Sequence, residues 1–182
     1  MLTVLMVPGF TGSSPGHWQS IWEREHPEYR RVGQRDWDHP EPGEWTETLN
    51  EAVTASAGSV VLVGHSLGCT TIVRWAAEHD AGRVGAAMLV APSDVEAATA
   101  PAEVRGFAPI PLLRLPFPAL VVASTNDPLV TMARAEHMAS CWGARLVSIG
   151  AADHIHTAAG YGPWPEGHAL LADLLRTAVG AP

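Results

Sequence analysis

One serine stands between two glycines in the stretch GSVVLVGHSLGCTTIVRWAAEHD, residues 58–80. Ser66 is the centre of GHSLG, a G-x-S-x-G pattern that follows a strand-like apolar run and precedes a helix-like one. A sharp turn between strand and helix would lift the serine hydroxyl clear of a sheet, at the positive end of the helix. We therefore predict that Ser66 is a nucleophile for acyl transfer. The alternative is a glycine-rich turn whose serine only caps the helix.

A nucleophilic serine needs a base within hydrogen-bond reach and an acid that orients the base. Where a G-x-S-x-G turn between strand and helix carries the nucleophile, the three groups are expected in the order serine, acid, histidine. Asp127, in LVVASTNDPLV, lies just past an apolar strand-like run and is the predicted acid. Asp94, after the preceding strand-like run, is the competitor. The alternative for Asp127 is a structural role, in which its side chain only hydrogen-bonds the backbone of a turn.

The base must be chosen among nine histidines. His154 and His156 follow the acid and come directly after the last strand-like run, whereas His137 and His168 fall in helix-like patterns. Spacing alone leaves His154 and His156 almost equal as candidates. The two histidines beside Asp153 also raise a metal site as an alternative. Further ligands do not recur at a metal-binding spacing, so we expect no metal.

A developing oxyanion needs two backbone N–H donors. One is predicted from Leu67, the residue after the nucleophile. The other is predicted from Phe10, in the PGFT turn that follows the first strand-like run. The alternative for this turn is that its proline and glycine only end the strand.

Three further side chains are predicted to bind substrate. His17, Trp18 and Trp164 come from segments close to the expected loops and would wall a small apolar cleft. The alternative for Trp18 is core packing within its helix. Residues 92–116 contain five prolines and are predicted to cross over the same edge of the sheet. No other segment is long enough to cover the site, so we expect no large lid.

Strand-length apolar runs alternate with helix-like patterns along the chain. The predicted strands are 2–7, 30–35, 59–63, 85–91, 118–124 and 144–150. The first predicted helix begins at Ser14-Pro15, and the others span 44–56, 67–80, about 131–142 and 165–179. This alternation predicts an α/β fold of three layers: a mostly or wholly parallel sheet of about six strands with helices on both faces. Right-handed crossovers would bring every strand-to-helix loop to the carboxyl edge, where ligands bind.

Length and composition narrow the classes of protein. The 182 residues suit one domain, 1–182. A net charge of −8, with eleven Lys and Arg, argues against nucleic acid as a partner. The apolar start MLTVLMVPGF is interpreted as a buried strand rather than a signal peptide or a membrane span. Cys69 and Cys141 have neither metal-ligand nor disulfide spacing, which predicts reduced thiols in a cytoplasmic protein.

Taken together, the motifs resemble the small single-domain serine hydrolases of the retinoblastoma-binding-protein-9 and YdeN type, within the α/β-hydrolase superfamily. The resemblance covers nearly the whole chain and is carried by VPGF (7–10), HWQSIW (17–22), GHSLGC (64–69), STNDPLV (124–130) and DHIHTAAGYGPWPEG (153–167). It implies that His154 is the base, because the family's catalytic histidine maps onto this position and an asparagine is usual at His156. Asp153 stands where the family usually has glycine.

The residues and the resemblance predict a carboxylesterase-like serine hydrolase that cleaves an ester or thioester of a small molecule through Ser66, His154 and Asp127. The reaction needs no cofactor. Three alternatives stay open: a protein-interaction module without activity on the same fold, a peptidase or amidase, and a cofactor-free haloperoxidase-like activity. We expect no nucleic-acid or membrane partner, and the sequence does not indicate a protein partner.

Overall fold

A computed structural model describes residues 2–179 of the chain, with side chains as far as Arg176, so the predicted domain limits 1 and 182 lie outside the described residues. Six strands form one sheet in which every neighbouring pair is parallel. The strands are β1 (Leu2–Val7), β2 (Tyr29–Arg31), β3 (Ser59–His65), β4 (Val84–Val90), β5 (Ala119–Ala123) and β6 (Arg145–Ser148). Their order across the sheet is β2-β1-β3-β4-β5-β6.

Helices cover both faces of this sheet. Within the described residues they are α1 (Trp18–Glu25), α2 (Pro42–Ala55), α3 (Leu67–Glu78), α4 (Met132–Trp142) and α5 (Pro165–Val179). Helices α2, α3 and α4 contribute Trp45, Ile72 and Met138 to the core on one face. Helices α1 and α5 contribute Trp18 and Leu171 to the core on the other. The predicted three-layer α/β fold is confirmed.

Strand β3 lies inside the sheet because both of its faces are apolar. Val60 and Leu62 pack into one core cluster, while Val61 and Val63 pack into the other. Such a strand is stable only between two layers of helices. Strand β3 therefore ends near the middle of the sheet's carboxyl edge, and Ser66 is the next residue.

Two predicted boundaries are wrong. Strand β2 is paired only over Tyr29–Arg31 rather than 30–35, as expected of a polar strand at the edge of a sheet. Helix α1 begins at Trp18 rather than at Ser14-Pro15, because Nδ1 of His17 accepts the N–H of Gln19 and caps the helix there.

Residues 92–116 follow the carboxyl end of β4 and are packed into the molecule. A short 3-10 helix, Ala102–Phe107, buries Val104 and Phe107 in the core below it. Arg134 of α4 forms ion pairs with Asp94 and Glu96 at the start of the segment. The segment is thus held against α4 at its beginning and against the core at its centre. None of the helices in the described part of the chain is long and apolar enough to cross a membrane.

Candidate active site

The backbone at Ser66 adopts the conformation of a sharp turn between β3 and α3. Its φ is +55° and its ψ −121°, a combination that costs a non-glycine residue about 1–3 kcal/mol. The Ser66 N–H donates to the carbonyl of Val90, and the side chain makes no capping hydrogen bond to α3. A capping serine would have extended backbone angles and would accept an N–H from the first turn. The capping alternative is therefore wrong.

Two glycines allow the loop after β1 to touch this turn. A Cβ added at Gly68 would lie 2.0 Å from the carbonyl oxygen of Val7, and one added at Gly9 would lie 2.9 Å from Cβ of Ser66. Both distances are shorter than non-bonded heavy atoms tolerate, so each position accepts only glycine. This close approach brings Phe10 beside the turn.

Phe10 and Leu67 flank Ser66 with unused backbone donors. Leu67 is the first residue of α3, where an N–H has no partner within the helix. Among the hydrogen bonds of the described residues, none uses the N–H of Phe10 or Leu67. Both residues line a cavity that also contains Ser66.

The side chains of His154 and Asp127 meet at the carboxyl edge. Nδ1 of His154 lies 3.0 Å from Oδ1 and 2.9 Å from Oδ2 of Asp127, whose side chain is fully buried. Because a carboxylate only accepts hydrogen bonds, Nδ1 carries the ring proton and Nε2 presents its lone pair. That Nε2 is buried and has no partner within the described residues. The imidazole is thus arranged to receive a proton.

The other candidates for acid and base have different partners. Nδ1 of His156 accepts the N–H of Ala159 and caps a 3-10 turn, Thr157–Ala159, with its ring centroid 6.0 Å from that of His154. Asp94 pairs with Arg134 instead of a histidine. The structure therefore brings His154 and Asp127 together, whereas His156 and Asp94 contact other groups.

Ser124 and Asn126 join the acid loop to the histidine loop, a role that sequence reasoning missed. The Ser124 hydroxyl donates to Oδ1 of Asn126 and accepts the N–H of Ala152. The same Oδ1 of Asn126 accepts the N–H of Asp153 over 2.8 Å. Asp153 in turn accepts the N–H of His154 with its carboxylate. The sequence offered one indication of this role, which is that Ser124 and Asn126 lie in the same short stretch as the acid, Asp127.

Two cavities meet at Ser66, Phe10 and Leu129, which line both of them. The large cavity has a volume of about 590 Å³ and is lined among others by His17, Arg31 and His154. The small cavity has a volume of about 40 Å³, and its lining includes Val95, Ala100, Val104 and Leu129. Ser66 therefore faces a wide space that contains the imidazole and a narrow one that does not.

Of the three residues predicted to bind substrate, one lines a cavity beside Ser66. His17 lines the large cavity. Burial, together with the charges of His156, Arg31 and His154, lowers the pKa of His17 to about 4. The ring is thus neutral at pH 7, and since Nδ1 accepts an N–H, its proton lies on Nε2.

Trp18 and Trp164 do not line either cavity, which corrects the prediction. Trp18 is 0% exposed, belongs to the core under α1 and donates from Nε1 to the carbonyl of Ile155. Trp164 packs in the same cluster, with its ring centroid 5.3 Å from that of Trp18. Packing in the core removes more of an indole's apolar surface from water than lining a solvent-filled cleft would, and this favours the buried positions of both side chains.

Among the described residues, no group of three or more His, Cys, Asp or Glu side chains could hold a metal ion.

Comparison with known proteins agrees with the fold described above. The sequence profile of the serine hydrolase family matches residues 4–173. A YdeN-like hydrolase from Pectobacterium atrosepticum is 32% identical, with 98% of this chain and 92% of that chain covered and a TM-score of 0.88. The ydeN gene product of B. subtilis is 20% identical, with 96% and 99% covered and a TM-score of 0.78.

A thermophilic esterase from Thermogutta terrifontis shares the fold at 18% identity, with 98% of this chain and 90% of that chain covered and a TM-score of 0.70. No curated protein is significantly similar in sequence. The profile match spans most of the chain, and the Pectobacterium hydrolase resembles it in sequence as well as in fold. The chain therefore belongs to the serine hydrolase family and has the α/β-hydrolase fold.

Proposed function

We propose that this hydrolase cleaves a carboxylester or thioester bond of a small molecule through Ser66, His154 and Asp127. Oγ of Ser66 attacks the substrate carbonyl carbon while its proton passes to Nε2 of His154. The tetrahedral intermediate collapses, and the imidazolium returns the proton to the departing alcohol or thiol. Water then attacks the acyl-enzyme, again with His154 as base, and releases the acid.

The N–H groups of Phe10 and Leu67 would hold the oxyanion in both half-reactions. A preorganised donor of this kind contributes about 3 kcal/mol to the transition state. Asp127 keeps the ring proton on Nδ1 and stabilises the imidazolium. The reaction uses only groups of this chain and water.

The observation that carries the proposal is the contact between His154 and Asp127 beside a strained serine. The imidazole has a buried, unpartnered Nε2 and lines the same cavity as Ser66. Both the strain and the unpartnered nitrogen cost stability. A protein-interaction module without activity would gain nothing from either feature, so the geometry favours an enzyme.

Hydrolysis of short p-nitrophenyl esters tests the proposal. We expect Ser66→Ala, His154→Ala and Asp127→Asn each to lower kcat by about 10³-fold or more. Ser59→Ala on β3 and His137→Ala on α4 are matched controls that should retain the parental rate, since both side chains lie outside the two cavities. A fluorophosphonate probe should label Ser66 in the folded protein. Equal rates in all six proteins would refute the mechanism.

Amide substrates separate this proposal from the peptidase alternative. The same triad hydrolyses amides, but the leaving amine then needs its proton before the C–N bond breaks. We expect p-nitroanilides with the same acyl groups to react at least about 10²-fold more slowly than the p-nitrophenyl esters. Faster amide hydrolysis would favour a peptidase.

We also propose a cytoplasmic location and a single domain. The two cysteines are unpaired, and burial raises the pKa of the Cys69 thiol, which donates to the carbonyl of Val90. Such a thiol is unreactive and suits a reducing compartment.

A further inference from the structure

The two sides of Ser66 have different roles in the reaction proposed above. His154 must return a proton to the leaving group, so the leaving group has to lie on the imidazole side of the serine. That side is the large cavity, which contains His154. The acyl group then lies on the other side, in the small cavity, where Leu67 supplies its N–H.

The small cavity is apolar and short. Its volume is about 40 Å³, and one water-sized group occupies about 10–15 Å³ of such a space. About three such groups therefore fit beyond the carbonyl carbon. Val95, Ala100 and Val104 supply apolar wall at positions that are each less than a tenth exposed. The cavity matches a saturated acyl chain of about two to four carbons in total.

The wall of the small cavity is held in place from several directions. Glu96 accepts the N–H of Ile110 over 2.8 Å and forms an ion pair with Arg134. The N–H of Asp94 donates to the carbonyl of Leu129 over 3.0 Å. These bonds join the loop after β4 to the loop after β5 and to α4.

A second set of bonds closes the turn that carries Ala100. The guanidinium of Arg105 donates to the carbonyl oxygens of Ala98 and Ala100. Val104 and Phe107 are packed in the core directly after it. These contacts oppose an outward movement of the wall, so we expect the small cavity to disfavour long acyl chains.

The large cavity imposes no such limit on the leaving group. It is more than ten times larger, at about 590 Å³. Its lining includes the polar side chains of His17, Arg31, Ser14 and Thr157. A long or polar alcohol fits here as easily as a short one.

We propose that the substrates are esters or thioesters of short acyl groups, of about two to four carbons, with a leaving group of any length. Selectivity is set by the wall that Val95, Ala100 and Val104 form beside Ser66. This inference rests on the proposed function, because it assigns the two cavities from the direction of proton transfer.

Two isomeric esters test the assignment. Octyl acetate and ethyl octanoate have the same composition, but the long chain lies on the alcohol side in one and on the acyl side in the other. We expect kcat/KM for octyl acetate to be at least about tenfold higher. Equal values, or a preference for ethyl octanoate, would overturn the inference while leaving the proposed function intact. If neither is hydrolysed and the fluorophosphonate does not label Ser66, the proposed function fails and the inference with it.

Variants of the wall test which residues set the limit. With p-nitrophenyl acetate, butyrate and hexanoate, Val104→Ala should raise hexanoate hydrolysis relative to acetate by about tenfold, since it removes two methyl groups from the wall of the cavity. Ala100→Leu should lower butyrate hydrolysis relative to acetate by a similar factor. Val53→Ala on α2, a buried change outside both cavities, is the matched control and should leave the ratios unchanged. Unchanged ratios in both wall variants would contradict the proposal.

Discussion

The imidazole of His65 donates a hydrogen bond from Nε2 to the carbonyl oxygen of His154, over 2.9 Å. The donor is the residue directly before the proposed nucleophile, and the acceptor belongs to the proposed base 89 positions later in the chain. Burial holds the pKa of His65 well below its ordinary value, so the ring is neutral and its single proton is the one used in this bond. The turn at Ser66 and the histidine loop are thereby fastened to each other.

Replacement of His65 should disturb the position of the base more than the binding of substrate. We expect His65→Phe to lower kcat by about 10- to 100-fold with little change in KM, because a loosened imidazole meets the hydroxyl in fewer orientations. His65→Gln should recover most of the loss, since its amide N–H reaches a similar point. Steady-state kinetics on a p-nitrophenyl ester distinguish the cases. Equal kcat in both variants would mean that the hydrogen bond does not position the base.

Ser66→Gly should make the protein more stable and inactive. Glycine relieves the backbone strain at φ +55°, which stabilises the folded protein by about 1–3 kcal/mol. The greater conformational freedom of glycine in the unfolded chain offsets about 0.5–1 kcal/mol of this gain. A net gain of about 1 kcal/mol corresponds to a Tm rise of about 2–4 °C. Ser66→Ala keeps Cβ and the strain, so it should lose activity without this rise. Calorimetry of the two variants checks the difference, and a lower Tm for the glycine variant would argue against stored strain.

Gly68→Ala should destabilise the fold, whereas Gly33→Ala should not. The added methyl would lie 2.0 Å from the carbonyl oxygen of Val7 in the first case and would have no atom within 4 Å in the second. Backbone must move to accept the first change, at a cost of about 3 kcal/mol or more. Urea unfolding measures both free energies. A Gly68→Ala protein as stable as the Gly33→Ala control would contradict the close packing of β1 against α3.

The free energy of unfolding should fall as the pH is lowered from about 6.5 towards 4. The pKa of His17 is lowered to about 4 in the folded protein, and burial also lowers the pKa of His65. Between these values and the ordinary pKa near 6.5, the unfolded chain binds protons that the folded chain does not, so acid favours unfolding. At pH 5 the loss from His17 alone is about 2 kcal/mol.

Urea unfolding at pH 7 and pH 5 measures this effect. His17→Gln should reduce the loss of stability between the two pH values. The exposed His137→Gln on α4 controls for removal of an imidazole in general. An identical pH dependence in wild type and His17→Gln would show that His17 is not the group that resists protonation.

Much of the fold could be predicted because it depends on short-range patterns. Alternating apolar runs and helix periods indicate which segments are strands and helices, and the all-parallel sheet follows from their order. The weak points were β2 and the start of α1, where a polar edge strand and a capping histidine leave no apolar periodicity to detect. The single domain stays a prediction.

The sequence by itself determined that Ser66 lies on a turn after a buried strand, with Asp127 and two histidines on later loops of the same edge. It could do so because turns and strands are recognised from short stretches of sequence. In a parallel sheet, the loops that follow the strands then lie at the same edge and close to one another. Tertiary structure decided that Nδ1 of His154 meets Asp127 while His156 caps a turn, a choice that spacing left even. It also decided that Trp18 and Trp164 fill the core, and that the space beside Ser66 is narrow on one side. These features depend on contacts between segments far apart in the chain, whose distances no local pattern encodes.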